Sequence, residues 1–221
     1  MKLMINALTK FIFGVLLVGV LIFLPAGSLS YFNGWLFMGL LFLPMSVVGA
    51  VALVKSPELL ERRLRSKEKE STQRGVVALI GLSFLAGFIT AGLDHRFGWS
   101  DMPLWAVVTA SAVMTVSYAL YAEVMRENVY LSRTVEVREG QQVVDTGLYG
   151  IVRHPMYAVT LWLFLSIPVV LGSVWSILCF LPYLPLIVIR IINEEQVLRR
   201  ELAGYEEYRT RVKYRLIPFI W

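Results

Sequence analysis

A single cysteine and two histidines among 221 residues exclude a disulfide framework, a thiolate metal site and a His-rich di-iron or zinc centre. Cys179 stands alone inside an apolar run, where a small buried residue is the plain reading. No metal is expected. The sequence also has no Gly-rich phosphate loop, no GxGxxG turn after a strand and no GxSxG nucleophile turn, so those nucleotide-binding and hydrolase chemistries have nothing to build on. Ionisable groups are almost absent from the inner parts of the long apolar runs, which argues against a proton-coupled transporter or an ion channel.

What is present is hydrophobic sequence, at 57% of the chain, with a mean hydropathy of +0.65. It falls in long runs without the alternation of a barrel strand, and such runs in lipid can only be helices. The runs are Phe11 to Leu24, Tyr31 to Val54, Val76 to Leu93, Pro103 to Met125, Met156 to Leu171 and Val174 to Ile192. An all-α, polytopic transmembrane bundle of five to six segments is therefore expected, as one integral membrane domain. Residues 1–125 hold four transmembrane helices. Residues 126–221 hold the polar sequence, a helical hairpin over 156–192 joined by Gly172-Ser173, and a C-terminal amphipathic helix. The first run is short for a bilayer of about 20 helical residues and must recruit its flanks. Pro182 and Pro185 interrupt the last run, freeing carbonyls that suit a cavity wall.

Charge sets the expected orientation. If the N-terminus is cytosolic and all six runs cross, Arg96 alone of the 21 Lys and Arg lies outside. Both termini and the Lys55–Arg74 and Arg126–Arg153 loops then face the cytosol, and the net charge of +5 reflects topology, not nucleic-acid binding. The loop ERRLRSKEKE is read as a solvated face that can touch anionic lipid. Lys2 and Lys10 ahead of the first run, with Ala26-Gly27-Ser28 after it, resemble a cleavable leader. Its removal would invert the charge balance of every later loop, so a retained first helix is expected.

The polar stretches on the inner side flank the hairpin, and so meet at its mouth. In the first, Thr134-Val135-Glu136-Val137 and Gln142-Val143-Val144 around Glu139-Gly140 suggest a short extended excursion or hairpin. Gly147 after Asp145-Thr146 can take a positive φ and let the backbone approach a ligand. Pro155 forces His154 out of the helical region and suits the first turn of the next helix. Arg153 and His154 thus sit at a helix N-terminus whose amides favour an anion. Tyr149, Arg153, His154 and Tyr157 also suit a headgroup boundary, taken one at a time. Their density beside Gly147 points to a site.

In the second stretch Arg190 lies one helical turn before Glu194, on the same face. An Arg at the membrane end of a broken helix pairs internally or serves a site, and both readings stand. Beyond it, Leu198, Leu202, Tyr205, Tyr208 and Val212 recur as on an amphipathic helix that caps the bundle or lies on the membrane, ended by Pro218.

The stretch DTGLYGIVRHPMYA, then a helical hairpin, then RIINEEQVLRRELAGYEEYRTRVKYRLIPFI resembles the isoprenylcysteine carboxyl methyltransferase family of integral membrane methyltransferases, from about Asn128 onward. RHPxY by itself is shared with phospholipid methyltransferases and, loosely, with membrane sterol reductases. The resemblance implies S-adenosylmethionine as methyl donor, bound in a cytosol-facing site without a Rossmann domain. It implies cofactor contacts from Gln142, Val143, Val144, Gly147, Tyr149, His154, Pro155, Met156, Tyr157 and Glu194. It makes Arg190 the residue that orients a substrate carboxylate, so that Arg190 and Glu194 are the candidate catalytic pair. The amides near Tyr157 would take the anionic part of the donor. Implied partners are the lipid bilayer and a lipidic or prenylated carboxylate that enters sideways. The implied place is the plasma or inner membrane of a prokaryote, or the endoplasmic reticulum of a eukaryote. An N-methyltransferase of an amino-headgroup phospholipid, a non-enzymatic scaffold and a sterol-reductase-like enzyme remain as alternatives.

Overall fold

Lipid offers the backbone no hydrogen-bond partner, so each long apolar run must close its own bonds as a helix. The structure is a computed structural model and describes residues 2–64, 71–132, 134–135, 137 and 139–221. Arg65 to Glu70 of the ERRLRSKEKE loop, and Glu136, lie outside the described residues. The elements are α1 (Lys2–Ala26), α2 (Phe32–Lys55), α3 (Pro57–Leu64), α4 (Ser71–Phe97), α5 (Leu104–Glu127), a 3-10 turn (Gly147–Gly150), α6 (Pro155–Val170), α7 (Val174–Phe180), α8 (Tyr183–Glu201) and α9 (Tyr205–Arg211).

Among the described residues, five stretches are long and apolar enough to cross a membrane: α1, α2, α4 from Gln73, α5, and α7 with α8 taken together as Val174–Glu201. The first run does recruit its flanks, since α1 starts at Lys2. α6 has 16 residues, about 24 Å at 1.5 Å per residue, and is the shorter partner in the hairpin. The last run is not one helix. Pro182 separates α7 from α8, while Pro185 falls in the first turn of α8, where a missing N–H costs nothing.

Sequence expectation and structure part company in three places. No strand occurs among the described residues of 128–146; Gly140 turns at φ +73°. The β-branched residues there are used for packing instead: Val137 and Val143 lie against the cluster of Leu202, Tyr205, Tyr208 and Val212. The C-terminal amphipathic helix is broken after Glu201, because Gly204 takes φ +80° and restarts the chain as α9. That helix ends at Arg211, well before Pro218. Finally, α3 is an unanticipated short helix between α2 and α4, anchored through buried Leu59 on Val124, Met125, Tyr149 and Met156.

α4 is the hinge of the packing, with α1 on one side and α7 and α8 on the other, while α5 pairs with α6. These approaches are close enough to require glycine. A Cβ on Gly87 would come within 2.3 Å of the Phe180 ring, and one on Gly92 within 2.4 Å of the Ile22 carbonyl. At the end away from the polar loops, buried Asp94 accepts from the Ser100 amide at 2.7 Å and from the Ser100 and Ser173 hydroxyls. This carboxylate ties the end of α4 to the α6–α7 turn. Neighbouring His95 belongs to the last turn of α4 and stacks on Tyr31 at 4.1 Å.

Candidate active site

The loops and helix ends opposite Asp94 enclose a cavity of about 460 Å³, a volume suited to a cofactor-sized ligand. Its polar half is walled by Asn128 and Ser132 after α5, by Gln141 to Val144, and by Tyr149 and His154. Its apolar half runs between α4, α6 and α8 past Val77, Ile80, Phe84, Phe164 and Ile187. The halves meet at Tyr157, Arg190 and Glu194.

Pro155 occupies the first position of α6 and holds His154 at φ −125°, as its ring requires. Tyr157 is then one turn into the helix and faces α8. Its hydroxyl donates to Glu194 Oε2 and accepts from Arg190 Nε at 3.0 Å, so one phenol bridges the two charged groups. Gln73, fully buried near the start of α4, completes the grip on Arg190. Its carbonyl oxygen accepts from Arg190 Nη1 at 2.7 Å, and its amide donates to the Arg190 carbonyl at 3.2 Å and to Asn193 Oδ1 at 2.7 Å. A guanidinium can only donate, so this network fixes which way the Gln73 amide points. Arg190 is thereby held in a set orientation at the base of the apolar half.

Tyr149 is fixed at both ends. Asn128 Nδ2 donates to its hydroxyl at 2.9 Å and the Tyr208 hydroxyl donates to its carbonyl at 2.7 Å. Burial pushes the Tyr149 phenol far above its ordinary value; the Asn128 bond acts the other way, and Glu194 adds to the rise. It therefore remains a neutral phenol in the cavity wall.

The neighbouring carboxylate, Glu195, faces away from the cavity and forms a second centre. Arg153 Nε donates to it at 2.7 Å and Arg215 Nε at 2.8 Å, with His154 Nε2 at 3.4 Å. Arg153 also donates from Nη1 to the carbonyls of Val212 and Lys213 at 2.7 and 2.8 Å. The chain after α9 continues across the start of α6, where the Arg153 and His154 amides donate to the Tyr214 and Arg215 carbonyls at 2.9 Å each. The Tyr157 and Ala158 amides both donate to the His154 carbonyl at 3.1 Å. The expectation that amides near Tyr157 receive an anion is thus corrected for these four, which are already engaged.

Most residues singled out from the sequence come together on one wall: Gln142, Val143, Val144, Tyr149, His154, Met156, Tyr157, Arg190 and Glu194. Gly147 and Pro155 are not on it. Gly147 does take a positive φ, +53°, but its close approach is to Glu127, whose carboxyl would lie 2.9 Å from a Cβ there. Pro155 is buried behind the wall. Sequence reasoning missed Arg63 of α3, Gln73, Asn128 and Glu195. Gln73 alone carried a signal, a lone amide just before an apolar run, while its partner Arg190 is 117 residues away.

A family model described as Phospholipid methyltransferase matches residues 104–203, from the start of α5 to the turn after α8. The Delta(14)-sterol reductase of Mus musculus is 33% identical over 99 residues, which are 40% of this chain and 22% of that protein. The match therefore spans about a fifth of the length of this curated relative. The family match includes Tyr157, Arg190 and Glu194 and stops short of α3 and α4, so Arg63 and Gln73 are contributions from outside it.

Proposed function

We propose that this cavity is the active site of an S-adenosylmethionine-dependent membrane methyltransferase whose acceptor is a lipid with an anionic head. The carboxylate of an isoprenylcysteine, or of a similar lipidic acid, is the leading choice. The observation that carries the reading is the junction of the halves: an oriented guanidinium and a carboxylate stand, bridged by Tyr157, where a polar chamber opens into an apolar slot. The polar half fits the donor, because aromatic, amide and carboxylate groups suit a molecule with a nucleobase, an ammonium and a sulfonium. When bound, S-adenosylmethionine supplies an electrophilic methyl group.

On the acceptor side, a terminal carboxylate has a reference pKa of about 3.3–3.7 and is already ionised at neutral pH. Arg190 would orient its oxygen and the apolar slot would strip it of water, so that it could take the methyl group the donor would supply. No proton moves. The distribution of Lys and Arg supports a cytosolic mouth for the cavity, and with it placement in the plasma or inner membrane of a prokaryote or the endoplasmic reticulum of a eukaryote.

One finding favours a second reading. The family model that matches is that of phospholipid methyltransferases, and in N-methylation of an amino-headgroup phospholipid Arg190 would hold the phosphodiester instead. Radiolabelled methyl transfer to synthetic farnesylcysteine and to an amino phospholipid, followed by base treatment, separates the two. The expected result is label on the lipidic acid that base releases. Base-stable label in the phospholipid would replace the carboxylate reading with the second. No label, with saturable binding of a reduced nicotinamide cofactor, would overturn both.

The slot itself can be blocked. Gly81 lines it, and a Cβ there meets nothing within 4 Å. Gly81→Leu is predicted to project into the slot from an open Cβ position, leaving donor affinity near wild type while acceptor KM rises about tenfold or more, as a lost side-chain-sized apolar contact of about 1.5–3 kcal/mol implies. An unchanged KM for a long-chain acceptor would show that the tail lies elsewhere.

A further inference from the structure

Among the described residues, three guanidinium groups line the cavity, and they are not equally occupied. Arg153 is paired with Glu195 and with the Val212 and Lys213 carbonyls. Arg190 is held by Tyr157 and Gln73. Arg63 differs. Its Nη2 donates to the Tyr121 hydroxyl, its Nη1 reaches the Ser132 carbonyl at 3.5 Å, and its guanidinium carbon lies 5.4 Å from the centre of the Tyr121 ring. These are neutral dipoles and a ring face, which orient a cation without cancelling its charge. Among the described residues no carboxylate pairs with Arg63.

The fold places Arg63 there by simple means. Pro57 opens α3, Leu59 buries itself beneath it, and Arg62 secures its last turn by an ion pair to Glu58 at 3.1 Å and a hydrogen bond to the Val129 carbonyl at 2.5 Å. Arg63, the next residue, is left half-buried on the cavity wall. The polar half thus has a carboxylate, Glu194, and a cation, Arg63. Both act on Tyr149: beyond the effect of burial, Glu194 raises its phenol pKa and Arg63 lowers it. The Arg153 and His154 amides just before α6, and the Tyr157 and Ala158 amides in its first turn, are already engaged and are not open to an anion.

We propose that Arg63 binds the carboxylate of the methyl donor's amino-acid end, with Glu194 receiving its ammonium, so that α3 completes a zwitterion site begun by α8. This rests on the methyl-donor reading above. The anion that Arg63 takes has two possible sources, the donor's carboxylate and the acceptor's head, and the experiment separates them.

Calorimetric binding to the full chain in lipid nanodiscs would compare S-adenosylmethionine with its decarboxylated analogue. The wild type is expected to prefer the carboxylated donor by about tenfold to a hundredfold, the worth of hydrogen bonds to a charged group. Arg63→Gln should lower affinity for S-adenosylmethionine to that for the analogue, leaving analogue affinity unchanged, which also shows that the variant folds. Arg63→Lys should restore part of the preference. A preference that survives in Arg63→Gln, or is absent from the wild type, overturns the proposal. So does an Arg63→Gln variant whose only defect is a higher KM for farnesylcysteine, since the anion is then the acceptor's. A wild type that binds neither donor overturns the methyl-donor reading, and this inference with it.

Discussion

Arg190→Ala is expected to lower methyl transfer by roughly a hundredfold or more while S-adenosylmethionine affinity stays within a few-fold of wild type. The size follows from what the substitution leaves behind. Arg190 is 8% exposed, and its removal takes the donor from the Tyr157 hydroxyl and from the Gln73 carbonyl together. An anionic acceptor head would then enter a slot with no counter-charge at its base, and a buried charge without its partner typically costs several kcal/mol. Arg190→Lys sharpens the test. It keeps the charge but loses the planar fork that reaches Tyr157 and Gln73 together, so an intermediate loss, mostly in kcat, is predicted. Steady-state kinetics with donor and acceptor varied separately decides the matter. Full turnover and unchanged acceptor KM in Arg190→Ala would remove Arg190 from the mechanism.

Much of this site was legible in the sequence, for reasons that can be traced to particular residues. Apolar runs must be helices in lipid, so the bundle could be read from composition. Pro155 had to open a helix and extend His154, and it does both. The spacing of Arg190 and Glu194 placed them on one face of α8, and Tyr157 turns out to bridge them.

What was not legible depends on contacts between distant segments. Gln73 reaches Arg190 only because α4 packs on α8, and Arg63 reaches the wall only because α3 docks through Leu59. The C-terminal helix looked continuous because Leu198, Leu202, Tyr205, Tyr208 and Val212 keep a helical period. Gly204 breaks the helix, yet Leu198 still packs against the cluster of the other four, so periodicity was preserved across a turn that it does not reveal. Near Gly140 the β-branched residues likewise serve packing and not strand pairing: Val137 and Val143 lie against that same cluster, and Val144 against the cluster around Tyr149.

The adjacent acids Glu194 and Glu195 show how one helical step of about 100° separates ligand chemistry from architecture, and Glu195 carries the largest predicted effect on stability. Glu195→Ala removes the acceptor that Arg153 and Arg215 share at 2.7 and 2.8 Å, in a place where the side chains of Arg153 and Glu195 are 4% and 5% exposed. Stripping one partner from such a buried pair costs about 3–5 kcal/mol. Arg153 keeps its bonds to the Val212 and Lys213 carbonyls, so the loss is expected first where Glu195 is the main tie, at Arg215 and the residues that follow α9. That segment supplies the carbonyls for the Arg153 and His154 amides, and its release frees the entry to α6 and the support behind His154. Glu195→Ala should therefore show a lower thermal midpoint and faster tryptic cleavage after Arg211, Lys213 and Arg215, with donor binding weakened as a consequence. Glu195→Gln, which keeps an acceptor but not the charge, should fall between. Glu194→Gln is the control: it alters a residue on the cavity side and should leave cleavage at wild-type rate. A tail in Glu195→Ala as resistant as that of the wild type would mean that the backbone bonds at Arg153 and His154 hold it without the carboxylate.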